Sequence, residues 1–257
     1  ISSIMNKHSD LAWEYRHIEE VTSTNDMLRD FAPEADITVL STSFQTKGRG
    51  QMGNTWVSDA GENALFSILV CPEGLKAADG FILSQAMALS VKDALDSYLD
   101  EVVIKWPNDI YCHGEKICGT LIENTLMGKS VGRSIIGTGI NINQTVFPEG
   151  LAAPPTSLRR HIDREVSPAS LVRSVAEAFS RYYAEIKEGC YDNIRELYHR
   201  HLYLRGRVAR FRDEAGIFSG TISHVEPDGH LIVIDDSSVS RRYAFKQVQL
   251  IRDDRIL

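Results

Sequence analysis

The sequence predicts an α+β protein: a mixed, mostly antiparallel sheet with flanking helices, followed by a small all-β unit. Three observations carry that prediction. In residues 1–204, strand-length runs of apolar and β-branched residues are interspersed with stretches of helical periodicity. After Arg205 the pattern changes to short strands divided by Glu-Ala-Gly and Pro-Asp-Gly turns. Finally, no apolar run approaches the roughly 18 residues that a membrane span requires.

Taken in order, Ser23 or Thr24 can cap a helix that continues through Met27, Leu28 and Phe31. Residues 37–44 are β-branched and read as a strand, and residues 64–70 form a second, strongly apolar one. From residue 81 to 99, apolar side chains recur at Phe81, Leu83, Met87, Val91, Ala94, Leu95 and Leu99, the period of a helix. Short strands are predicted at residues 102–106, 110–112, 117–123 and 134–142. Residues 150–156 are an Ala- and Pro-rich loop. A long helix then carries Leu171, Val172, Val175, Phe179, Tyr182 and Ile186 on one side, and a shorter helix covers residues 193–202. Strands at residues 208–211, 218–225, 231–234 and 243–245 complete a small β-barrel. The domain division expected is therefore 1–204 and 205–257.

Composition narrows the function classes. Apolar residues at 43% and charged residues at 25% suit a water-soluble globular protein. A net charge of −7 argues against a general nucleic-acid binder, so no specific DNA partner is expected. No membrane partner is expected either, and the location expected is cytoplasmic. The cysteines, Cys71, Cys112, Cys118 and Cys190, have no C-x-x-C spacing, which favours a reduced setting. The histidines are scattered, and His199 and His201 would point to different faces of a helix. No metal site built by direct Cys or His ligation is expected.

Five segments could carry chemistry. Residues 47–56, Lys-Gly-Arg-Gly-Gln-Met-Gly-Asn-Thr-Trp, combine a permissive backbone with exposed N–H groups, the charges of Lys47 and Arg49, and the flat ring of Trp56. That suits an anion beside a base, although a flexible hairpin tip has a similar composition. The loop matches G-x-G-x-x-G through Gly48, Gly50 and Gly53, but no helix begins there, so a dinucleotide turn is excluded. The run Lys105-Trp106-Pro107-Asn108-Asp109 places polar side chains at a strand end; a kinked hairpin with a core tryptophan is the structural alternative. In residues 116–123, Lys-Ile-Cys-Gly-Thr-Leu-Ile-Glu, strand alternation would set Lys116, Cys118, Thr120 and Ile122 on one face. Residues 137–143, Gly-Thr-Gly-Ile-Asn-Ile-Asn, place glycines inside an apolar strand, with Asn141 and Asn143 on a common side. Ser23-Thr24-Asn25, taken alone, is a helix cap.

The order and spacing of these segments resemble the biotin–protein ligase family. The resemblance runs from about Val21 to Asn143, and its most specific element is K-W-P-N-D followed, seven positions after Asp109, by the lysine of K-x-x-G. It implies a class II synthetase-like ligase fold with a C-terminal SH3-like β-barrel. It also implies the activity: biotin and ATP give biotinyl-5′-AMP and pyrophosphate, with Mg2+ accompanying ATP. The biotinyl group then passes to a lysine of a biotin carrier domain of a carboxylase of the acetyl-CoA carboxylase type. By position, Ser23, Thr24 and Asn25 would bind the ureido ring, with Gln45, Gly119 and Gly137 lining the same pocket. Arg49, Gly50 and Gln51 would wrap the biotin carboxylate and α-phosphate. Trp56, Lys105, Asn108 and Asn141 would engage the nucleotide. Lys116 would stabilise charge in both steps, with Arg49 and Asp109 as the other catalytic residues.

Two departures stand out. The family loop commonly reads G-R-G-R-x-G-R, whereas Gln51 and Asn54 replace arginines here. Only about 20 residues precede Ser23, too few for the N-terminal helix-turn-helix of about 60 residues in some relatives, so the monofunctional type is expected. A homodimer is compatible with the resemblance. The C-terminal barrel is expected to assist carrier or nucleotide engagement rather than hold the fold together. A lipoate–protein ligase is the nearest alternative, and a non-catalytic binding module is the alternative from another class.

Overall fold

The computed structural model describes residues 11–151 and 153–251. The outer ends of both expected domains, residues 1–10 and 252–257, and Ala152 in the expected loop therefore lie outside the described residues. In chain order the first part contains β1 (Trp13–Val21), α1 (Thr24–Leu28), β2 (Ile37–Gln45), β3 (Ala64–Val70), α2 (Phe81–Leu95), β4 (Val102–Lys105), β5 (Asp109–Cys112), β6 (Glu115–Met127) and β7 (Ser130–Ile140). Then come α3 (Leu158–His161), α4 (Pro168–Lys187) and α5 (Asp192–Arg200). The last part is β8 (Val208–Asp213), β9 (Gly216–Val225), β10 (Leu231–Asp235), β11 (Ser240–Tyr243) and β12 (Gln249–Ile251).

The first seven strands form one sheet in the order β1-β2-β3-β7-β6-β5-β4. Its one parallel pair, β1 with β2, is joined through α1, because parallel neighbours need a crossover. That crossover carries the Ser-Thr-Asn segment from the end of β1 onto one face of the sheet. The other five strands form an antiparallel sheet in the order β11-β10-β9-β8-β12, where a small β-barrel was expected.

Strand alternation divides the large sheet into two unlike faces. Phe66, Ile68 and Val70 of β3 and Ile136 and Ile140 of β7 belong to the main core, packed with Leu83, Met87 and Leu95 of α2 and Val175 and Phe179 of α4. The other face carries only a small cluster, Leu28, Leu40, Leu69 and Ile135. There, Ser67 pairs in register with Gly137, and Gly119 with Gly139. α4 opens on Ser167, whose hydroxyl accepts from the N–H of Ser170, with Pro168 in the first turn.

Several expectations are corrected. The helix expected through Phe31 stops at Leu28, and Ser23, although at its N-cap position, makes no side-chain cap. The strand expected to residue 142 stops at Ile140; Asn143 turns away and pairs with the backbone of Val166 in both directions. Lys116 does not share a face with Cys118. The β5–β6 register shifts between Ile110 and Tyr111, so Lys116, Ile117 and Cys118 oppose two residues. That bulge buries the consecutive Ile117 and Cys118 in the core and sends Lys116 to the side of Gly119. β1 escaped prediction because its outward residues, His17, Ile18, Glu19 and Glu20, are those of an exposed edge strand.

The two sheets share a single buried cluster. Phe211, Ile222, Val225, Leu231, Val233 and Tyr243 of the second sheet are continuous with the core of the first. Trp106 donates its indole N–H to the carbonyl of Gly229 (2.9 Å) and meets Phe245 edge-on. The Pro-Asp-Gly turn, expected only as a divider between short strands, is thus also a joint between the sheets, and the second sheet, expected to assist ligand engagement rather than hold the fold together, shares the core of the first.

Candidate functional site

A cleft of about 1050 Å³ opens on the polar face of the large sheet and runs beneath the second sheet. It brings together Ser23, Thr24, Asn25, Gln45, Arg49, Gly50, Gln51, Trp56, Lys105, Asp109, Lys116, Gly119, Gly137 and Asn141. Of the residues expected in the site, Asn108 does not line the cleft.

At one end the Ser-Thr-Asn segment is held by a polar network. Gln45 Oε1 accepts from the backbone N–H of Thr24 at 2.8 Å. Ser67 Oγ stands 2.6 Å from both Thr24 Oγ1 and Asn25 Oδ1, and the Asn25 amide donates to Glu123 Oε2 at 2.7 Å. All of Ser23, Thr24, Asn25 and Ser67 are buried. The absence of a side chain at Gly137 makes this possible: a Cβ there would stand 2.2 Å from Asn25 Oδ1.

The glycine loop folds back on itself through an antiparallel bridge between Arg49 and Thr55, with a single 3-10 turn at Gln51–Gly53. Its residues leave in different directions. Arg49 makes a two-pronged pair with Glu123, at 3.2 and 2.8 Å, and a second ion pair with Asp26 at 2.9 Å. Burial opposes charge on Glu123, but hydrogen bonds from Arg49 and Asn25 outweigh it and hold the carboxyl below the usual carboxylate range. Gln51 donates both amide hydrogens, to Asn108 Oδ1 (3.0 Å) and to the carbonyl of Thr120 (2.9 Å). Asn108, buried, donates in turn to Ser84 Oγ of α2 (2.9 Å). Asn108 is therefore a tether between α2 and the loop. The Trp56 ring covers the Gly119–Gly139 pair, where a Cβ would come within 2.9 and 2.4 Å of it.

At the other end Lys116 Nζ forms an ion pair with Asp109 at 2.8 Å. Lys105 pairs in register with Asp109, and its ammonium lies 3.2 Å from the Tyr111 hydroxyl. The Asn141 amide donates to the carbonyl of Thr156 (2.9 Å), fixing the strap of residues 154–156 that runs beside Lys116. Among the described residues, the lining holds the cations Arg49, Lys105, Lys116, Arg212 and Lys246 against a single carboxylate, Asp109. In a chain of net −7, that is a local reversal of sign and suits an anionic ligand. Four buried lining atoms, Arg49 Nε, Trp56 Nε1, Thr120 Oγ1 and Thr138 Oγ1, have no hydrogen-bond partner among the described residues. Such groups need a partner, which a bound ligand can supply.

Sequence reasoning missed Ser67, Glu123, Asp26 and the lining from the second sheet, Phe211, Arg212, Phe245 and Lys246. Ser67 carried a usable signal, a lone hydroxyl within the apolar strand Ala64–Val70. The second-sheet residues carried none, because only the packing of the sheets places them there.

The biotin/lipoate A/B protein ligase family matches residues 18–141. The biotin–[acetyl-CoA-carboxylase] ligase of Paracoccus denitrificans is 31% identical over 201 residues, 75% of this chain and 78% of that protein. The bifunctional ligase/repressor BirA of Bacillus subtilis is 27% identical over 227 residues, 86% of this chain and 68% of that protein. Among solved structures, the biotin protein ligase of Aquifex aeolicus in complex with biotin and ATP superposes with a TM-score of 0.76. It is 26% identical, and the match covers 93% of this chain and 99% of that one.

Proposed function

This chain belongs to the biotin–protein ligase family, and on that premise we propose that its cleft joins biotin to ATP and then passes the biotinyl group to a carrier lysine. It is a ligase enzyme. The observation that carries the reading is the convergence of Ser23–Asn25, the glycine loop and Lys116 in one cation-lined cleft. A volume of about 1050 Å³ reaches the upper end of the range for single-ligand pockets, roughly 300–1,000 Å³, and suits two substrates side by side.

In the first step a biotin carboxylate oxygen attacks the α-phosphorus of ATP, and the bond to pyrophosphate breaks. Two anions must meet, so cations and fixed donors have to offset their repulsion. The polar pocket of Ser23, Thr24, Asn25 and Gln45, floored by Gly119 and Gly137, receives the ureido ring. Lys116 lies at the reacting oxygens, oriented by Asp109. Arg49, Gly50 and Gln51 border the carboxylate and α-phosphate, and Trp56, Lys105 and Asn141 border the nucleotide. Asn108 acts on the loop through Gln51. Mg2+ would enter with ATP as a counter-charge to its phosphates; Asp109, the one carboxylate of the described lining, is the oxygen donor that fits it. In the second step the neutral carrier lysine attacks the acyl carbon and AMP leaves.

We assign residues 1–204 to catalysis and 205–257 to a β-domain that completes the cleft and meets the carrier. The carrier proposed is the biotin domain of a carboxylase. Mass spectrometry of such a domain after incubation with the chain, ATP, Mg2+ and biotin should show one added biotinyl group. A domain left unmodified by biotin but lipoylated when lipoate is supplied would overturn the reading.

A further inference from the structure

The turn between β5 and β6 lies outside the cleft, behind Lys116, and faces the end of α3. Cys112 Sγ and one ring nitrogen each from His113 and His161 lie within 4.8 Å of one another there. The geometry points to a binding site for a borderline transition-metal ion, Zn2+ by preference, held by Cys112, His113 and His161. A thiolate with two imidazoles is a donor set that suits Zn2+, and three protein ligands leave one position for water.

The surroundings fit a cation. One nitrogen of each ring is already held, His113 Nδ1 by Glu101 (3.2 Å) and His161 Nε2 beside Thr156 Oγ1 (2.8 Å). Partners of this kind orient metal-binding histidines. The carboxylates of Glu101, Glu115 and Asp100 lie near Cys112. The same carboxylates that oppose a thiolate favour a dication beside it, and binding releases the thiol proton to solvent. A second cluster, Glu226, Asp228 and His230, lacks this character because Arg242 already pairs with both acids.

The site would clamp two segments far apart in sequence. Thr156, which touches His161, takes the Asn141 amide on its carbonyl and donates its N–H to the Lys116 carbonyl. An ion at His161 would therefore brace the strap behind Lys116.

Co2+ is the probe, since its complexes with thiolate absorb visibly. Titrated into the untagged, fully reduced chain, Co2+ should give one thiolate-to-metal band that saturates at one equivalent and is bleached by Zn2+. Cys112→Ser should abolish the band, and His113→Ala and His161→Ala should each weaken binding by at least on the order of tenfold. A band that persists in Cys112→Ser, parent-like affinity in both histidine variants, or no thiolate band at all would overturn the assignment.

Discussion

Lys116 reaches the cleft because of one irregularity, the bulge that turns it from the core side to the side of Gly119. It lines the cleft rather than the core, paired with Asp109, so Lys116→Ala should still fold, while loss of a cation at developing charge costs on the order of 10²–10³ in rate. Single-turnover formation of biotinyl-5′-AMP measures this, and a rate within twofold of the parent would remove Lys116 from the chemistry. Gly137 is tested by a single methyl. With a Cβ 2.2 Å from Asn25 Oδ1, Gly137→Ala must displace Asn25 from Ser67 and Glu123. The KM for biotin should rise on the order of tenfold, about 1.4 kcal/mol, with the KM for ATP little changed. An unchanged KM for biotin would mean that Asn25 does not contact it. These residues show what the sequence made legible. The motif residues were named because the order and spacing of their segments resemble the biotin–protein ligase family. The contacts that hold them, Arg49 with Glu123 and Ser67 with Asn25, span 74 and 42 positions, and no local pattern reports them.

At the scale of elements, Gln51 moors the glycine loop alongside the ion pairs of Arg49. Gln51 links it to β6 through Thr120 and to α2 through Asn108 and Ser84. Gln51→Ala would leave Asn108 Oδ1 buried without that donor, at a cost of about 1–3 kcal/mol. Preformed labelled biotinyl-5′-AMP should then leave the enzyme several-fold faster in the absence of carrier, and equal release rates would show that the mooring does not control retention. The tether was not legible, because the partners of Gln51 lie 57 and 69 positions away in the sequence. Strands β2 and β3 were legible from apolar and β-branched runs, since both are buried. The edge strand β1 and the short β12 were not, because polar or brief strands lack that pattern. The bulge in β6 was equally hidden, as alternation assumes an unbroken pleat.

For the whole molecule, the change of pattern at Arg205 marked a change of topology correctly, but the core runs across it. One joint between the sheets contains a titratable ring. His199 Nε2 of α5 lies 2.9 Å from the backbone N–H of Val225 and 3.1 Å from its carbonyl, so it accepts from the first when unprotonated there and donates to the second when protonated. Burial, with Arg205 nearby, holds its pKa below the ordinary histidine value. A depressed histidine contributes stability that is fully present above the unfolded value, about 6.5, and is lost as pH falls through the folded one. The melting temperature should therefore drop between pH 7 and pH 5, and drop less in His199→Gln; parallel curves would clear this joint of any role. The cleft depends on that joint, since Arg212 and Lys246 enter it from the second sheet. Its central task is tested most directly by pyrophosphate release from ATP, measured without carrier protein. Release should depend on biotin, stop near one equivalent of enzyme as biotinyl-5′-AMP accumulates, and fail with lipoate. Release that is indifferent to biotin, or that lipoate supports equally, would contradict the account.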